Sequence, residues 1–320
     1  MSSSVYLAID TSNYTTSTAV YQSGKVIHAK KLLPVKEGQL GLRQSDAVFH
    51  HTVQLPQMME QLSEKVNLSQ IKAVGASFTP RSVSGSYMPC FQVGSALARS
   101  ISAVMGIPLY RFSHQQGHIA AAIYSSEHFE LFTQKHLAFH ISGGTTEALI
   151  VTPDKENIIS ATLTAKTLDL NAGQLVDRVG LMLGLQFPCG KELERFALRF
   201  LGKQKPIKPT IRQGNCCLSG VQNQCEKMFR EGISKEEISY YLLKYIEETL
   251  FVMTQNICRQ YGKMPVLFSG GVMSNSIIRN SLSERLGAFF AEPEFSTDNA
   301  GGIAVLTALK ENYALKGFAL

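Results

Sequence analysis

At 320 residues and 44% hydrophobic, the chain is long enough for two packed lobes or one large domain, and it holds no apolar run that would span a membrane. Its formal net charge of +6 accommodates a polyanionic partner without requiring one. The six cysteines show no C-x-x-C pair and no framework spacing, which excludes a disulfide scaffold or a zinc ribbon and leaves reduced, mostly buried thiols. The opening Met1-Ser2-Ser3-Ser4 carries neither a secretory nor a transit pattern, so a cytoplasmic address is the expectation.

In chain order, Val5–Ile9 reads as a strand, Asp10–Ser17 as a small-residue turn and Thr18–Tyr21 as a returning strand. Such a hairpin brings backbone N–H groups and hydroxyls close to a phosphate, and it offers Asp10, Ser12 and Asn13 as candidate catalytic residues. His114 and His118 follow, separated by Gln115-Gln116-Gly117 and leading into the apolar Ile119–Ile123. A helix starting near Ser113 places both imidazoles on one face, one turn apart, where two nitrogens can clasp one transition metal. Gln115 follows His114 where a metalloprotease would carry its glutamate base, so peptide hydrolysis is not expected. By spacing alone, a capping or packing role explains the pair equally well.

Leu137–Ile141 and Ala148–Val151 repeat the strand–turn–strand plan around Ser142, Gly143, Gly144 and Thr145. Two phosphate-cradling hairpins, one in each half, suggest a duplicated actin-like α/β fold with mixed sheets, although by local pattern an ordinary pair of hairpins explains them as well. Its expected lobes are 1–112 plus about 303–320, and 113–302, with a nucleotide cleft between them. Ala172-Gly173 opens an amphipathic helix whose Asp177 could hold a ribose hydroxyl, although a surface helix reads the same. Arg195, Arg199, Lys203, Lys205, Lys208 and Arg212, broken by Pro206 and Pro209, form either a solvated loop or a nucleic-acid contact. Val266–Phe268 is a short apolar strand, and Gly270 and Gly271 then lead to a helix beginning near Ser274-Asn275, where anionic groups are favoured. Asp298 precedes the apolar C-terminal helix, and an N-cap role alone would explain it.

Taken in order from about Leu7 to about Leu306, these segments resemble the universal tRNA threonylcarbamoyl-transferase family, the former glycoproteases, within the actin/Hsp70/sugar-kinase fold. The resemblance implies metal ligands at His114, His118 and Asp298. It also implies nucleotide contacts at Ser142, Gly143, Gly144, Thr145, Gly173, Asp177, Gly270, Gly271 and Asn275. His140 lies two residues before Ser142, on the same side of its strand, where some family members carry a tyrosine near the metal; it is a candidate fourth donor. Imidazoles with one carboxylate suit Fe2+ or Zn2+ better than Mg2+. The resemblance further implies ATP, AMP or an acyl-adenylate as substrate, lobe closure that excludes water, tRNA as acceptor and a second actin-like subunit as partner.

The departures fall near the chemistry. Thr11-Ser12-Asn13-Tyr14-Thr15 stands where the family usually has Thr-Ser-Cys-Asp-Glu-Thr, and Thr145 replaces a His or Asn after the second hairpin. Thr79-Pro80-Arg81 replaces Gly-Pro-Gly, and Gln174 replaces a glutamate. A segment with Arg43, Gln44, Ser45 and Asp46 takes the place of a glycine-rich loop. The chain therefore reads as a divergent paralog. Its expected activity is metal-dependent carbamoyl transfer, most simply of threonylcarbamoyl to tRNA adenosine. The alternative is a non-catalytic nucleotide- and metal-binding partner subunit.

Overall fold

Val5–Asp10 is buried at every position and forms β1, the middle strand of a five-stranded sheet. The structure, a computed structural model, describes residues 4–12, 14–34, 42–203 and 206–316. Asn13 and Lys205, both singled out from the sequence, lie outside the described residues. β1 runs antiparallel to β2, Thr15–Gln22, which pairs with β3, Lys25–Leu32. After α1, Gln44–Lys65, the chain enters β4, Ile71–Thr79, parallel to β1. α2, Phe91–Met105, ends on Gly106 in the left-handed conformation and leads to β5, Leu109–Ser113, parallel to β4. α3, His114–Ser125, begins at Ser113, whose hydroxyl accepts the Gln116 N–H while the Gln116 side chain accepts the Ser113 N–H. This capping box fixes where the helix starts.

A second five-stranded sheet has the same plan. β6, His136–Ile141, is antiparallel to β7, Thr146–Asp154, beside β8, Ile158–Lys166. The helices α4, Ala172–Met182, and α5, Gly190–Ala197, follow. Next come the two-residue strands β9, Ile211–Arg212, and β10, Asn215–Cys216, then α6, Ser219–Arg230, and α7, Lys235–Tyr261. β11, Val266–Ser269, is parallel to β6, and after α8, Ser276–Leu286, the short β12, Phe289–Phe290, is parallel to β11. The orders β3-β2-β1-β4-β5 and β8-β7-β6-β11-β12 correspond strand for strand, so the duplication expected from the two hairpins is present in the topology. α9, Gly301–Lys316, packs on α3.

The chain divides into two compact units. One comprises Met1–Gln134, Thr152–Ala161 and Glu294–Leu320; the other comprises Lys135–Val151 and Thr162–Pro293. α3 therefore belongs with the first unit. The core of the first unit gathers Val5, Leu7, Ile9, Val20, Leu55 and Leu62, and that of the second packs Phe139 and Phe268 in a stack at 4.7 Å among the helix faces. Among the described residues no helix is long and apolar enough to cross a membrane.

A candidate metal centre and a glycine-lined cavity

Asp10 ends β1 with its side chain wholly buried, a position that demands partners for both oxygens. Oδ1 accepts the Ser12 N–H at 2.8 Å, and Oδ2 accepts a hydrogen bond from Nδ1 of His114, also at 2.8 Å. Donation from Nδ1 points Nε2 of His114 the other way. There it meets Nε2 of His118, one turn along α3, at 2.9 Å. Oδ1 of Asp298, in the segment before α9, lies 3.1 Å from Nε2 of His118 and 3.4 Å from Nε2 of His114. Ser12 Oγ stands 3.4 Å from the same His114 nitrogen.

Three donor atoms thus form a triangle with sides of 2.9, 3.1 and 3.4 Å. Ligands about 2.1 Å from one ion stand roughly 3.0–3.4 Å apart, so the triangle fits three positions around a single metal. Two imidazoles and one carboxylate, with a second carboxylate behind one imidazole, are the donor set and backing found at zinc and ferrous sites. Among the described residues this is the one convergent group of metal-donor side chains, and it holds the three expected residues. Its electrostatics are strongly coupled. Burial works against the charge on His114, yet Asp10 and then Asp298 push its pKa up to about 10. Burial would raise both carboxylates, but His114 holds Asp10 below its ordinary range, and His114 with His118 holds Asp298 far below it.

His140, the fourth donor expected, belongs to the second unit. The parallel register of β6 and β11 sets it opposite Ser269, and its Nδ1 lies 3.2 Å from Ser269 Oγ. The N-cap reading of Asp298 also gives way. α9 begins at Gly301, and Asn299 Oδ1 accepts the Gly301 N–H at 2.9 Å, so the neighbouring asparagine fills that role. Close packing holds the segment: a Cβ on Gly302 would collide with the Gly117 carbonyl oxygen of α3.

In the second unit, Gly143, Gly173, Asp177, Gly271 and Asn275 line a cavity of about 660 Å³, large enough for a mononucleotide. The other expected contacts play supporting parts. The Ser142 N–H bonds Thr145 O at 2.7 Å and the Thr145 N–H bonds Ser142 Oγ at 3.1 Å, which closes the turn and leaves Gly143 and Gly144 as its candidate donors. Gly270 has φ +99° and packs against the Ile141 backbone, where a Cβ would clash. Gly173 lies inside α4, and a Cβ there would stand 2.5 Å from Gly143 N, so its small size seats the helix on the turn. Asn275 caps α8 through the Ile278 N–H, and Asp177 Oδ1 accepts the Cys189 N–H at 3.0 Å. Two further wall residues, Lys191 and Glu194 of α5, gave no sequence signal: each reads as an ordinary charge on a short amphipathic helix. Glu194 accepts the Ser276 N–H at 2.7 Å, which ties α5 to the start of α8.

The described residues of the basic stretch, Arg195, Arg199, Lys203, Lys208 and Arg212, are exposed. The guanidinium groups of Arg195 and Arg199 lie 5.7 and 5.9 Å from the Phe196 ring centre.

Comparison with known proteins shows what the chain is similar to. The family model described as TsaD, tRNA N6-adenosine threonylcarbamoyltransferase, matches residues 28–305. A tRNA N6-adenosine threonylcarbamoyltransferase from Thermosipho africanus is 27% identical over 94% of this chain and 92% of that protein. A probable bifunctional tRNA threonylcarbamoyladenosine biosynthesis protein from Thermoplasma acidophilum is 23% identical over 94% of this chain, which spans 55% of that longer protein. Among solved structures, full-length HypF in a phosphate- and nucleotide-bound form superposes with a TM-score of 0.64 at 13% identity. That likeness covers 99% of this chain and 48% of HypF, about half its length, and it shows the actin-like fold.

Proposed function

This chain belongs to the tRNA N6-adenosine threonylcarbamoyltransferase family, and on that premise we propose that it transfers a threonylcarbamoyl group from an acyl-adenylate to the N6 amine of a tRNA adenosine. The observation that carries the reading is the convergence of His114, His118 and Asp298, with Asp10 behind His114. The donor set favours Fe2+ or Zn2+ over Mg2+. A divalent ion held there supplies Lewis-acid stabilisation of charge on a carbamoyl or phosphate oxygen.

The chain's own residues supply the rest. Asp10 accepts from Nδ1 of His114 and turns Nε2 toward the other donors, where its lone pair would be available once a bound ion takes the place of the proton there. Ser12 brings a hydroxyl to the rim of the donor triangle, and Asn13 follows it in the chain. In the second unit the cavity takes the AMP portion of ATP, AMP or the acyl-adenylate. Asp177 accepts from a ribose hydroxyl, the Gly143-Gly144 turn and Gly271 offer backbone donors, and Asn275 shapes the wall. The acceptor amine attacks the carbamoyl carbon directly: the new C–N bond forms as the C–O bond to AMP breaks, and the proton the amine loses passes to the departing phosphate or to solvent. No side-chain nucleophile is required.

Exposed Arg195, Arg199, Lys203, Lys208 and Arg212 contact the tRNA backbone in this reading, as charge complementarity favours. The longer bifunctional relative favours a second polypeptide as working partner, and a tRNA substrate favours a cytoplasmic address.

Incubation of purified protein with threonylcarbamoyl-AMP and tRNA transcripts tests the assignment, with modified adenosine read by mass spectrometry. Wild type is expected to form the product and Asp298→Ala to lose it together with bound metal. A wild-type protein that binds metal and nucleotide yet modifies no tRNA, with the partner added, is instead a non-catalytic subunit.

A further inference from the structure

The cavity of the second unit has three charged side chains in its wall: Asp177, Lys191 and Glu194. Two are committed to protein. Asp177 Oδ1 accepts the Cys189 N–H at 3.0 Å, and Glu194 Oε1 accepts the Ser276 N–H at 2.7 Å along with its hydroxyl. Lys191 is the one basic side chain lining the cavity among the described residues, and there it has no hydrogen-bond or ion-pair partner. Its backbone is well fixed: it occupies the first turn of α5, two residues after the Cys189 amide that Asp177 holds.

A cation left without a protein partner on the wall of a cavity built from glycine turns marks where the anionic part of a ligand sits. We propose that Lys191 is the phosphate-recognition residue of this cavity, the group that makes it bind a nucleotide in preference to a nucleoside. The inference rests on the reading of the cavity as a nucleotide site and adds to it the charge that selects the ligand. The glycine turns approach from β6–β7 and β11–α8 and supply neutral donors; Lys191 approaches from α5 and, among the described residues of the wall, supplies the one full positive charge. The ammonium and its mobile stem reach an oxygen wherever the phosphate lies along that wall.

The test is calorimetric titration of the full chain with AMP, ATP and adenosine at low salt, for wild type, Lys191→Ala and Lys191→Arg. Wild type is expected to prefer AMP to adenosine. Lys191→Ala is expected to weaken AMP and ATP by about tenfold while adenosine changes by less than about twofold, and Lys191→Arg to retain most of the phosphate preference. An Ala variant that keeps the wild-type preference, or one that loses adenosine as strongly as AMP, overturns the assignment of Lys191 while leaving the cavity a nucleotide site. Failure of wild type to bind any of the three ligands overturns the nucleotide reading itself, and the Lys191 proposal with it.

Discussion

Across 104 positions of sequence, Nδ1 of His114 donates to Oδ2 of Asp10 at 2.8 Å, both groups buried. The contact decides which nitrogen of His114 is free to face the other donors, and so converts a pair of helix histidines into a directed chelate. Asp10 sits at the end of the central strand and His114 at the first residue of α3, so a buried strand and a capped helix start set the geometry.

Replacing Asp10 with Asn removes the charge and leaves an amide that can present either its oxygen or its NH2 to the ring. Zinc affinity, read by competition with a chromophoric chelator, is expected to fall by about 10–100-fold. Asp298→Ala removes a donor outright and is expected to abolish stoichiometric metal while the circular dichroism spectrum stays that of wild type.

Gly173→Ala tests the seat of α4 on the Ser142-Gly143 turn. The added methyl meets Gly143 N at 2.5 Å, backbone that cannot rotate away. Urea denaturation is expected to show a loss of about 1–3 kcal/mol. AMP binding weakens in the same variant, because the turn moves with the helix.

Asp169 carries a pH signature. Its carboxylate accepts the Leu218 N–H at 2.7 Å and the Ser219 hydroxyl at 2.6 Å. Burial alone would raise its pKa, but these bonds hold it below the ordinary value. A depressed folded pKa means that the ionised group is the stabilising one. Its contribution is complete above the unfolded value and disappears as pH falls through the lower, folded one. The gap in urea midpoint between wild type and Asp169→Asn is therefore expected to stay constant from neutrality down to about pH 5 and to close below about pH 4.

Thiol chemistry should divide the cysteines sharply. Burial pushes Cys216 up to about 11 and Cys225 up to about 12, and Cys90 and Cys189 are also buried. Cys217 and Cys258 are only partly buried. Iodoacetamide on the native protein at pH 8 is expected to label those two quickly and the other four only after denaturant is added, because a thiol with a pKa near 12 is only ~10⁻⁴ ionised there. Rapid labelling of Cys225 would contradict this packing.

The sequence made the His114–His118 pair legible because helical spacing is a local property and Ser113 announces the cap. The strand–turn–strand repeats are legible for the same reason, but the duplicated topology they suggest needs the ordered motifs of the whole chain beside them. Asp298 was visible only through resemblance; by local pattern it was a cap, and the structure gives that work to Asn299. Asp10 was placed correctly at a strand end, but its role depends on a contact that only the folded chain makes. Gly173 and Ser142 read as ligand contacts, and in the folded chain one also seats a helix and the other also closes a turn, because glycine and serine serve close packing and phosphate binding with the same local signature. His140 meets a cross-strand partner, Ser269, that strand alternation alone does not announce. Lys191 carried no signal at all: only the enclosing wall distinguishes it from any surface lysine.

The donor triangle also has an order of assembly. His118 and Asp298 are 180 residues apart in the chain. At a synthesis rate of about 5–20 residues per second, roughly 9–36 s separate translation of the second nitrogen donor from that of the oxygen donor. Throughout that interval the emerging polypeptide can offer a two-nitrogen chelate, open on its third side, to whatever transition metal is most competitive. The carboxylate of Asp298, in the segment ahead of α9, is therefore the last of the three donors to be made.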